Sequence, residues 1–338
     1  MGRIKYILLF LSLYGFSVSA QQFPVYDQYM MNAFLLNPAV AGHEGYTSVN
    51  LTTRVQWLGL KDAPKTYALS AQTRLLKNSF ISSKASVRSR QRMKSRSGRV
   101  GLGGYIFSDQ NGAFNRTGFQ LTYAYHLTLD RSQLSFATSL TGFQFKINPD
   151  KIYLLDDADA LYNSSRKSSF IPDANFGVYY SDRNIYAGLS VQQLFQSNFK
   201  LSDSKGISFE MVRHYFLMAG YRFDMIDFLY VEPSFLFKTT EAFNAQGDIN
   251  LKFYFKQDYW AGITYRTGGG YEVSDKSLGG KGSSIIIMGG ARVDKFYFGY
   301  AFDYTLSSIQ RHSIGSHELM LAVKFGDNAR RYRWLNRY

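Results

Sequence analysis

Apolar and polar residues alternate at every second position in many stretches of this chain, and this period constrains its fold more than any other feature. Ile249, Leu251 and Phe253, for example, alternate with Asn250 and Lys252. Successive side chains of a β-strand point to opposite faces of the sheet, so such a stretch predicts a strand with one apolar and one polar face. The chain is therefore expected to be an all-β protein.

Fourteen stretches have this signature of a strand bounded by turn residues. In 296–304 the apolar face extends over five alternate positions, which suits the roughly 9–11 residues with which a tilted strand crosses a bilayer. The opposite faces carry charge at Arg54, Arg74, Glu232, Lys252 and Arg266. The predicted strands lie near 47–57, 64–75, 99–107, 116–127, 133–145, 174–181, 184–192, 213–223, 227–238, 244–255, 258–267, 283–293, 295–305 and 316–325.

The connections between these strands favour a membrane barrel over a soluble sheet protein. If the first strand begins in the periplasm, the inner connections after strands 4, 6, 8, 10 and 12 hold five residues or fewer. Short periplasmic turns with longer extracellular loops are typical of outer-membrane barrels. We therefore predict a transmembrane antiparallel β-barrel of about fourteen strands. The longer outer connections are 108–115, 146–173, 193–212, 268–282 and 306–315, and 58–63 and 239–243 are short exceptions.

The rest of the chain divides into three segments around the barrel, which is expected to occupy 47–325. Residues 1–20 join two basic residues, an apolar run and a small-residue end, the layout of a secretory signal peptide. Residues 21–46 mix aromatic, Met and Leu residues with Asn-Pro and Ala-Gly breakers, and are expected to form a structured periplasmic or plug segment. Residues 326–338 form a basic tail. We expect an outer-membrane protein with both termini in the periplasm.

Composition agrees with this class and leaves little room for catalysis. The chain contains 26 Tyr and 28 Phe but no Cys, and outer-membrane barrels use aromatic residues in their girdles. It contains no HExxH, GxSxG or Walker A motif. Ser and His residues near 312–318 have no constraining spacing. We therefore expect no enzymatic activity, cofactor or metal, and an exported chain is not expected to bind nucleic acid despite its net charge of +14.

One inner connection, 77–98, departs from the pattern of short inner turns, because it is long, Ser-rich and basic. A run of cations without an acidic residue is commonly a solvated, disordered loop. The alternative is a docking strip for an acidic periplasmic partner or for anionic lipid head groups. The candidate docking residues are Arg88, Arg90, Arg92, Lys94 and Arg96.

A candidate functional patch joins the first strand to the segment before it. Arg54 and Gln56 alternate with apolar residues and Trp57, so they are expected to point into the lumen. A buried guanidinium is costly unless it is paired, and Asp27 is a plausible counter-charge. Residues 23–42 are therefore predicted to enter the lumen or its periplasmic mouth, the alternative being a segment that lies free. Further hydrogen bonds are expected from Gln28, Tyr29 and Asn37.

Several short motifs follow one another along the mature sequence. Before the second strand they are carried by the residues that also form the predicted binding set: Asp27, Gln28, Tyr29, Asn37, Pro38, Gly42, Arg54, Gln56 and Trp57. Gly101–Gly104, Tyr123–His126 and Ser316–Glu318 follow. With these motifs the sequence resembles the PorP/SprF family of type IX secretion system membrane proteins of the Bacteroidota. The resemblance is strongest before residue 130, and the basic insertion at 77–99 is less typical.

The resemblance implies an accessory outer-membrane barrel that assists export or surface handling of secreted proteins or gliding adhesins. Its implied partners are outer-membrane lipids and type IX secretion components, or a large secreted surface protein. Without the resemblance, the residue pattern leaves a second function open, namely a porin-like channel for small solutes. The apolar N-terminal segment favours interaction, because it is suited to filling a lumen.

Overall fold

The computed structural model describes residues 24–75, 99–129, 132–148, 151, 168–200, 208–226, 228–241, 245–256, 258–268 and 283–325. Three expectations therefore lie outside the described residues: the signal peptide at 1–20, the basic strip with its docking residues, and the tail at 326–338. In the part of the chain that is described, no helix is long and apolar enough to cross a bilayer.

The described chain is built almost entirely of strands. Before the first strand lie two short 3-10 helices, η1 (Ala33–Leu35) and η2 (Pro38–Val40). The strands are β1 (Thr47–Val55), β2 (Lys65–Leu75), β3 (Val100–Asn111), β4 (Phe114–Thr128), β5 (Gln133–Ile147), β6 (Ser168–Ser181), β7 (Ile185–Gln192), β8 (Asn198–Lys200), β9 (Ser208–Glu210), β10 (His214–Tyr221), β11 (Phe223–Ile226), β12 (Leu229–Thr240), β13 (Gln246–Phe255), β14 (Tyr259–Gly268), β15 (Ser284–Val293), β16 (Phe296–Thr305) and β17 (Ser316–Phe325).

The strands close into a ring. Each barrel strand pairs antiparallel with its neighbours in the sequence, and β10 pairs with β7 because the β8–β9 hairpin lies outside the main sheet. The first and last strands pair from Thr47 opposite Phe325 to Val55 opposite His317. With β10 and β11 sharing one position, the predicted fourteen-stranded antiparallel barrel is confirmed. Closure leaves no unpaired edge, which a bilayer requires of a strand-built protein.

The wall has a polar inner face and an apolar outer face, as the alternation predicts. On β13, Asp248, Asn250 and Lys252 are almost fully buried, whereas Ile249 is 66% exposed. The same contrast is found around the whole ring, because large apolar side chains are exposed on the outer face of the strands that form the wall. So continuous an exposed apolar surface marks a surface that lipid covers.

The predicted outer loop at 108–115 is much shorter than expected, and the long-loop prediction is wrong there, whereas 146–173 is shortened only at its end. β3 continues to Asn111 and β4 begins at Phe114, so 108–115 is mostly ladder with a tight turn, where Gly112 has a φ of 58°. β6 begins at Ser168 instead of 174. Polar residues on both faces hid the end of β3, because a strand that continues past the bilayer no longer needs an apolar outer face.

The predicted strand at 213–223 is divided. β10 ends at Tyr221, and the short β11 continues beside β12 with a register shift between Asp224 and Ile226. Arg222 interrupts the ladder: its backbone N–H donates to the Asn184 carbonyl and its guanidinium pairs with Asp224 at 3.1 Å. The β8–β9 hairpin occupies part of the predicted loop at 193–212.

A charge on the outer face provides a first test of the register. Tyr300 is 48% exposed at the middle of β16, so Tyr300→Arg is expected to lower the free energy of unfolding by about 2–4 kcal/mol. Tyr304→Arg, near the strand end, is the matched control, with an expected cost of about 0–1 kcal/mol. Urea unfolding from lipid vesicles measures both. Equal effects at the two positions would contradict the assignment of the bilayer midplane.

Candidate functional site

The N-terminal segment, residues 24–46, lies inside the barrel and contacts strands all around the wall. Phe34 packs edge-on against Tyr105 of β3 at 6.0 Å between ring centroids. Its apolar cluster extends across the lumen to Met218 of β10 and Leu236 of β12, and Met30 packs beside a second cluster on β15 and β16. The apolar residues of the segment are thus buried in the centre of the lumen, although the wall around them is largely polar.

The wall binds the segment through polar side chains that reach its backbone. Ser190 donates to the carbonyl of Leu36 at 2.7 Å, and Gln192 donates to the carbonyls of Leu35 and Leu36 at 3.2 and 3.1 Å. The wall therefore satisfies carbonyls that the short helices leave free, as buried backbone groups require.

A buried ion network holds the start of the segment. Arg54 pairs with Asp27 and with Asp303, the latter at 2.7 Å. Arg266 donates to Asp27 at 2.7 Å and forms a two-armed contact with Asp248. The Asp27–Arg54 ion pair proposed from the sequence is thus present, with relative exposures of 0% and 3%. Charges buried so deeply are tolerated only when they are paired.

Glu318 completes this network by binding backbone. Its carboxylate accepts the N–H groups of Asp27 and Gln28 at 2.7 and 2.9 Å. Tyr29 follows, and its hydroxyl accepts a hydrogen bond from Asn250.

Asn37 fixes the middle of the segment. Its side-chain amide donates to the carbonyls of Val178 and Leu189 at 3.0 and 3.2 Å, and its oxygen accepts the N–H of Ala39 at 2.9 Å at the start of η2. Pro38 occupies the first position of that helix, where its missing N–H costs nothing. Gly177 leaves the space for this motif, since a Cβ there would overlap the Asn37 side chain.

The two ends of the segment lie at opposite ends of the barrel. We call the end at which β1 finishes, at Val55, the loop-side mouth, and the end at which it begins, at Thr47, the turn-side mouth. His43 binds at the turn-side mouth, where Gln133 and Ser181 contact its ring nitrogens at 2.6 and 3.0 Å. The Gly42 N–H donates to Gln72 nearby.

Most of the predicted binding set meets in the lumen, but the end of the first strand departs from the prediction. Asp27, Gln28, Tyr29, Asn37, Pro38, Gly42 and Arg54 all lie on the segment or against it. Gln56 lies beyond the end of β1, where strand alternation no longer fixes its direction. Trp57, expected to face outward, has a φ of 53° and its indole donates to Thr305 of the inner face at 3.3 Å. The outward assignment of Trp57 was wrong because the left-handed backbone ends the period of two.

Sequence reasoning missed most of the partners of this set. Arg266 was recognised as lying on a polar strand face, but the pattern of one strand does not say which residues of distant strands, here Asp248 and Asp303, meet it at one height. His317, considered with nearby Ser residues, lies on the outer face against Tyr300 at 2.7 Å, whereas Glu318 points inward. Within the described ranges no group of three or more His, Asp or Glu could hold a metal.

Close packing between the segment and the wall gives a second prediction. A Cβ on Gly101 would overlap the Ala41 carbonyl and approach His126 Nε2 at 2.6 Å, so Gly101→Ala is expected to cost about 1–3 kcal/mol, the usual range for overpacking. Gly289→Ala is the control, because its nearest contact would be 3.5 Å. Urea midpoints measured side by side check the difference. Indistinguishable midpoints would mean that the segment does not pack as described.

The fold and the site together define a membrane β-barrel of the outer-membrane type whose lumen holds its own N-terminal segment. The family model for the type IX secretion system membrane protein PorP/SprF matches residues 18–323, and the chain belongs to this family. A comparison with curated proteins finds no match.

A comparison with solved structures finds distant likenesses. The toluene transporter TbuX of Ralstonia pickettii is 10% identical, with 90% of this chain and 95% of that chain covered and a TM-score of 0.46. The monoaromatic hydrocarbon channel CymD is 12% identical, with coverages of 92% and 94% and a TM-score of 0.46. Omp33 of Acinetobacter baumannii is 5% identical, with coverages of 83% and 99% and a TM-score of 0.41. These likenesses concern the fold alone, and nothing about substrates follows from them.

Proposed function

We propose that this protein is a non-enzymatic accessory component of the type IX secretion system in the outer membrane, where it assists export or surface handling of secreted proteins or gliding adhesins. The observation that carries the proposal is the lumen, which residues 24–46 occupy and in which buried ion pairs hold that segment. A barrel occupied by its own chain offers its rims and loops to other molecules. Family membership supports secretion components, or a large secreted surface protein, as partners.

The polar groups of the wall support this proposal because so many of them already bind the segment. Ser70 accepts from Asn32 at 3.1 Å, and Gln192 and Glu318 bind backbone groups of the segment. A solute pathway needs such groups free to replace the water around a permeating molecule. Groups spread over opposite parts of the wall are instead committed to one peptide.

The second candidate is a porin-like channel for small solutes. The polar lumen face favours it, since Asn50, Thr52 and Thr264 are buried polar residues of a barrel wall. Planar-bilayer recording of the purified protein separates the two functions. The accessory role predicts no steady single-channel current, and regular current steps would favour the channel.

Site-directed crosslinking in native outer membranes tests the accessory role. The chain has no Cys, so a crosslinker attached to Asn111→Cys, which is exposed at the rim, reports on that position alone. Ile249→Cys on the lipid-facing wall is the matched control. We expect secretion components or a secreted surface protein to be captured from the rim and not from the wall. Capture of neither class from the rim or from the other loops would contradict the proposal.

The basic strip belongs to the same proposal as a periplasmic docking site for an acidic partner or anionic lipid. Charge–charge binding weakens as salt rises, since the screening length is about 10 Å at 0.1 M. Deletion of 84–98 is expected to leave the barrel folded and to reduce salt-sensitive partner recovery. Unchanged recovery at every salt concentration would identify the strip as a solvated connection.

A further inference from the structure

The first described residues of the N-terminal segment lie at the loop-side mouth, although the segment leads into β1 at the turn-side mouth. The ion partners of Asp27 fix this position. Arg54 is the next-to-last residue of β1, and Arg266 lies two residues before the end of β14. Glu318 is the third residue of β17, which begins at the same end because it pairs antiparallel with β1. All three therefore lie near the loop-side end of the wall.

Tyr26 lies close to the same position, because the guanidinium of Arg266 donates to its backbone carbonyl at 3.4 Å. The β3–β4 turn is also on the loop side. It follows the end of β3, and the register of β2 against β1 and β3 places that end beside Val55.

The other end of the segment is held at the turn-side mouth. Glu44 pairs with Lys324 at 2.6 Å, and Lys324 is the next-to-last residue of β17. Glu318 and Lys324 are six residues apart on this strand, a separation of about 20 Å at the usual rise of a strand. The seventeen steps from Asp27 to Glu44 cover that height even with two helical turns between them.

We infer that the segment threads the lumen once from mouth to mouth, so that its start, around Val25, opens onto the loop side. This goes beyond the accessory role, which does not depend on the direction of the segment.

The threading places one stretch of chain between the two mouths. Val25 is only half-buried and lies two residues before Asp27, which pairs with Arg54. The same stretch continues to His43 at the turn side. One segment thus connects the two mouths of the barrel.

Cysteine labelling from each side of the membrane tests this inference on the full-length protein. Three single variants are compared: Val25→Cys, Asn111→Cys at a loop-side hairpin, and Lys295→Cys at a turn-side turn, the last two being exposed references. A membrane-impermeant maleimide is applied to intact cells and, in parallel, to cells with a permeabilised outer membrane. Because the two references report which mouth faces outward, the reading does not depend on the orientation of the barrel or on its partners.

Val25→Cys is expected to follow Asn111→Cys, with labelling in intact cells if that reference is labelled there. Prior blocking from the side of Asn111 is expected to abolish later labelling of Val25→Cys and to leave Lys295→Cys reactive. Labelling that follows Lys295→Cys would overturn the inference. A thiol at position 25 that reacts from neither side until the protein is denatured would overturn it as well.

Discussion

Arg54→Met is expected to lower the free energy of unfolding by about 3–5 kcal/mol, the range found when one partner of a buried ion pair is removed. Arg54 lies between Asp27 and Asp303, and Glu318 is also within 3.9 Å of its guanidinium. Removing the cation leaves these carboxylates buried with Arg266 as their nearest remaining counter-charge. Desolvated like charges repel strongly, and this repulsion, more than the lost attraction, accounts for the size of the effect.

Urea unfolding of the protein refolded into vesicles measures this effect. Arg213→Met is the matched control, because Arg213 pairs with Glu241 at 2.9 Å but both side chains are about one-third exposed; exposed pairs contribute little. Arg54→Lys is expected to recover only part of the stability, because an ammonium does not present the planar fork that contacts two carboxylates. If Arg54→Met unfolds at the same urea concentration as Arg213→Met, the network does not hold the segment.

The wall of the barrel could be predicted from the sequence because its physics is local. Each residue of a strand faces either lipid or lumen, and the period of two records that choice without reference to the rest of the chain. Prediction failed where this constraint ends. Beyond the bilayer the end of β3, residues 108–111, is polar on both faces, and at Trp57 a left-handed residue reverses the expected direction. These errors lie at strand ends, where lipid no longer selects the outer face.

The site was predicted only in part because it depends on contacts between distant parts of the chain. The cost of burying Arg54 implied an acidic partner, and Asp27 was the acidic residue of 23–42, the stretch predicted to enter the lumen. Asp303 on β16 and Glu318 on β17 join the same network. These are the last two strands of the chain, and they come next to β1 only because the ring closes. The shear of a barrel decides which residues of its strands share a height, and no residue pattern in a single strand records it.

The direction of the N-terminal segment was also beyond sequence reasoning. An apolar stretch with Asn-Pro and Ala-Gly breakers predicts packing, but it does not distinguish a loop that enters and leaves by one mouth from a chain that crosses. The two anchors decide it: Asp27 meets cations near the loop side, and His43 and Glu44 find partners near the turn side. Only their separation along the wall reveals a crossing.

Deletion of residues 24–42 is expected to convert a barrel without steady current into one that conducts ions. The deletion removes Phe34, Leu35 and Leu36 from the centre of the lumen and frees the polar wall groups that bind them. In an eight-stranded barrel the interior side chains alone can fill the lumen, but a fourteen-stranded barrel is wider. Water would therefore replace the segment, and the exposed Arg, Asp and Glu residues would line an aqueous path.

Planar-bilayer conductance measures the outcome, with heat-modifiable migration in gels establishing that the shortened chain still forms a barrel. A protein lacking 84–98 is the control, since that deletion leaves the segment and its anchors in place and is expected to stay silent. Arg54→Met should give intermediate behaviour, with brief openings as the loosened segment leaves its anchor. A shortened chain that forms a barrel yet passes no current would mean that the wall itself closes the lumen, and the segment would then be a stabilising insertion instead of a plug.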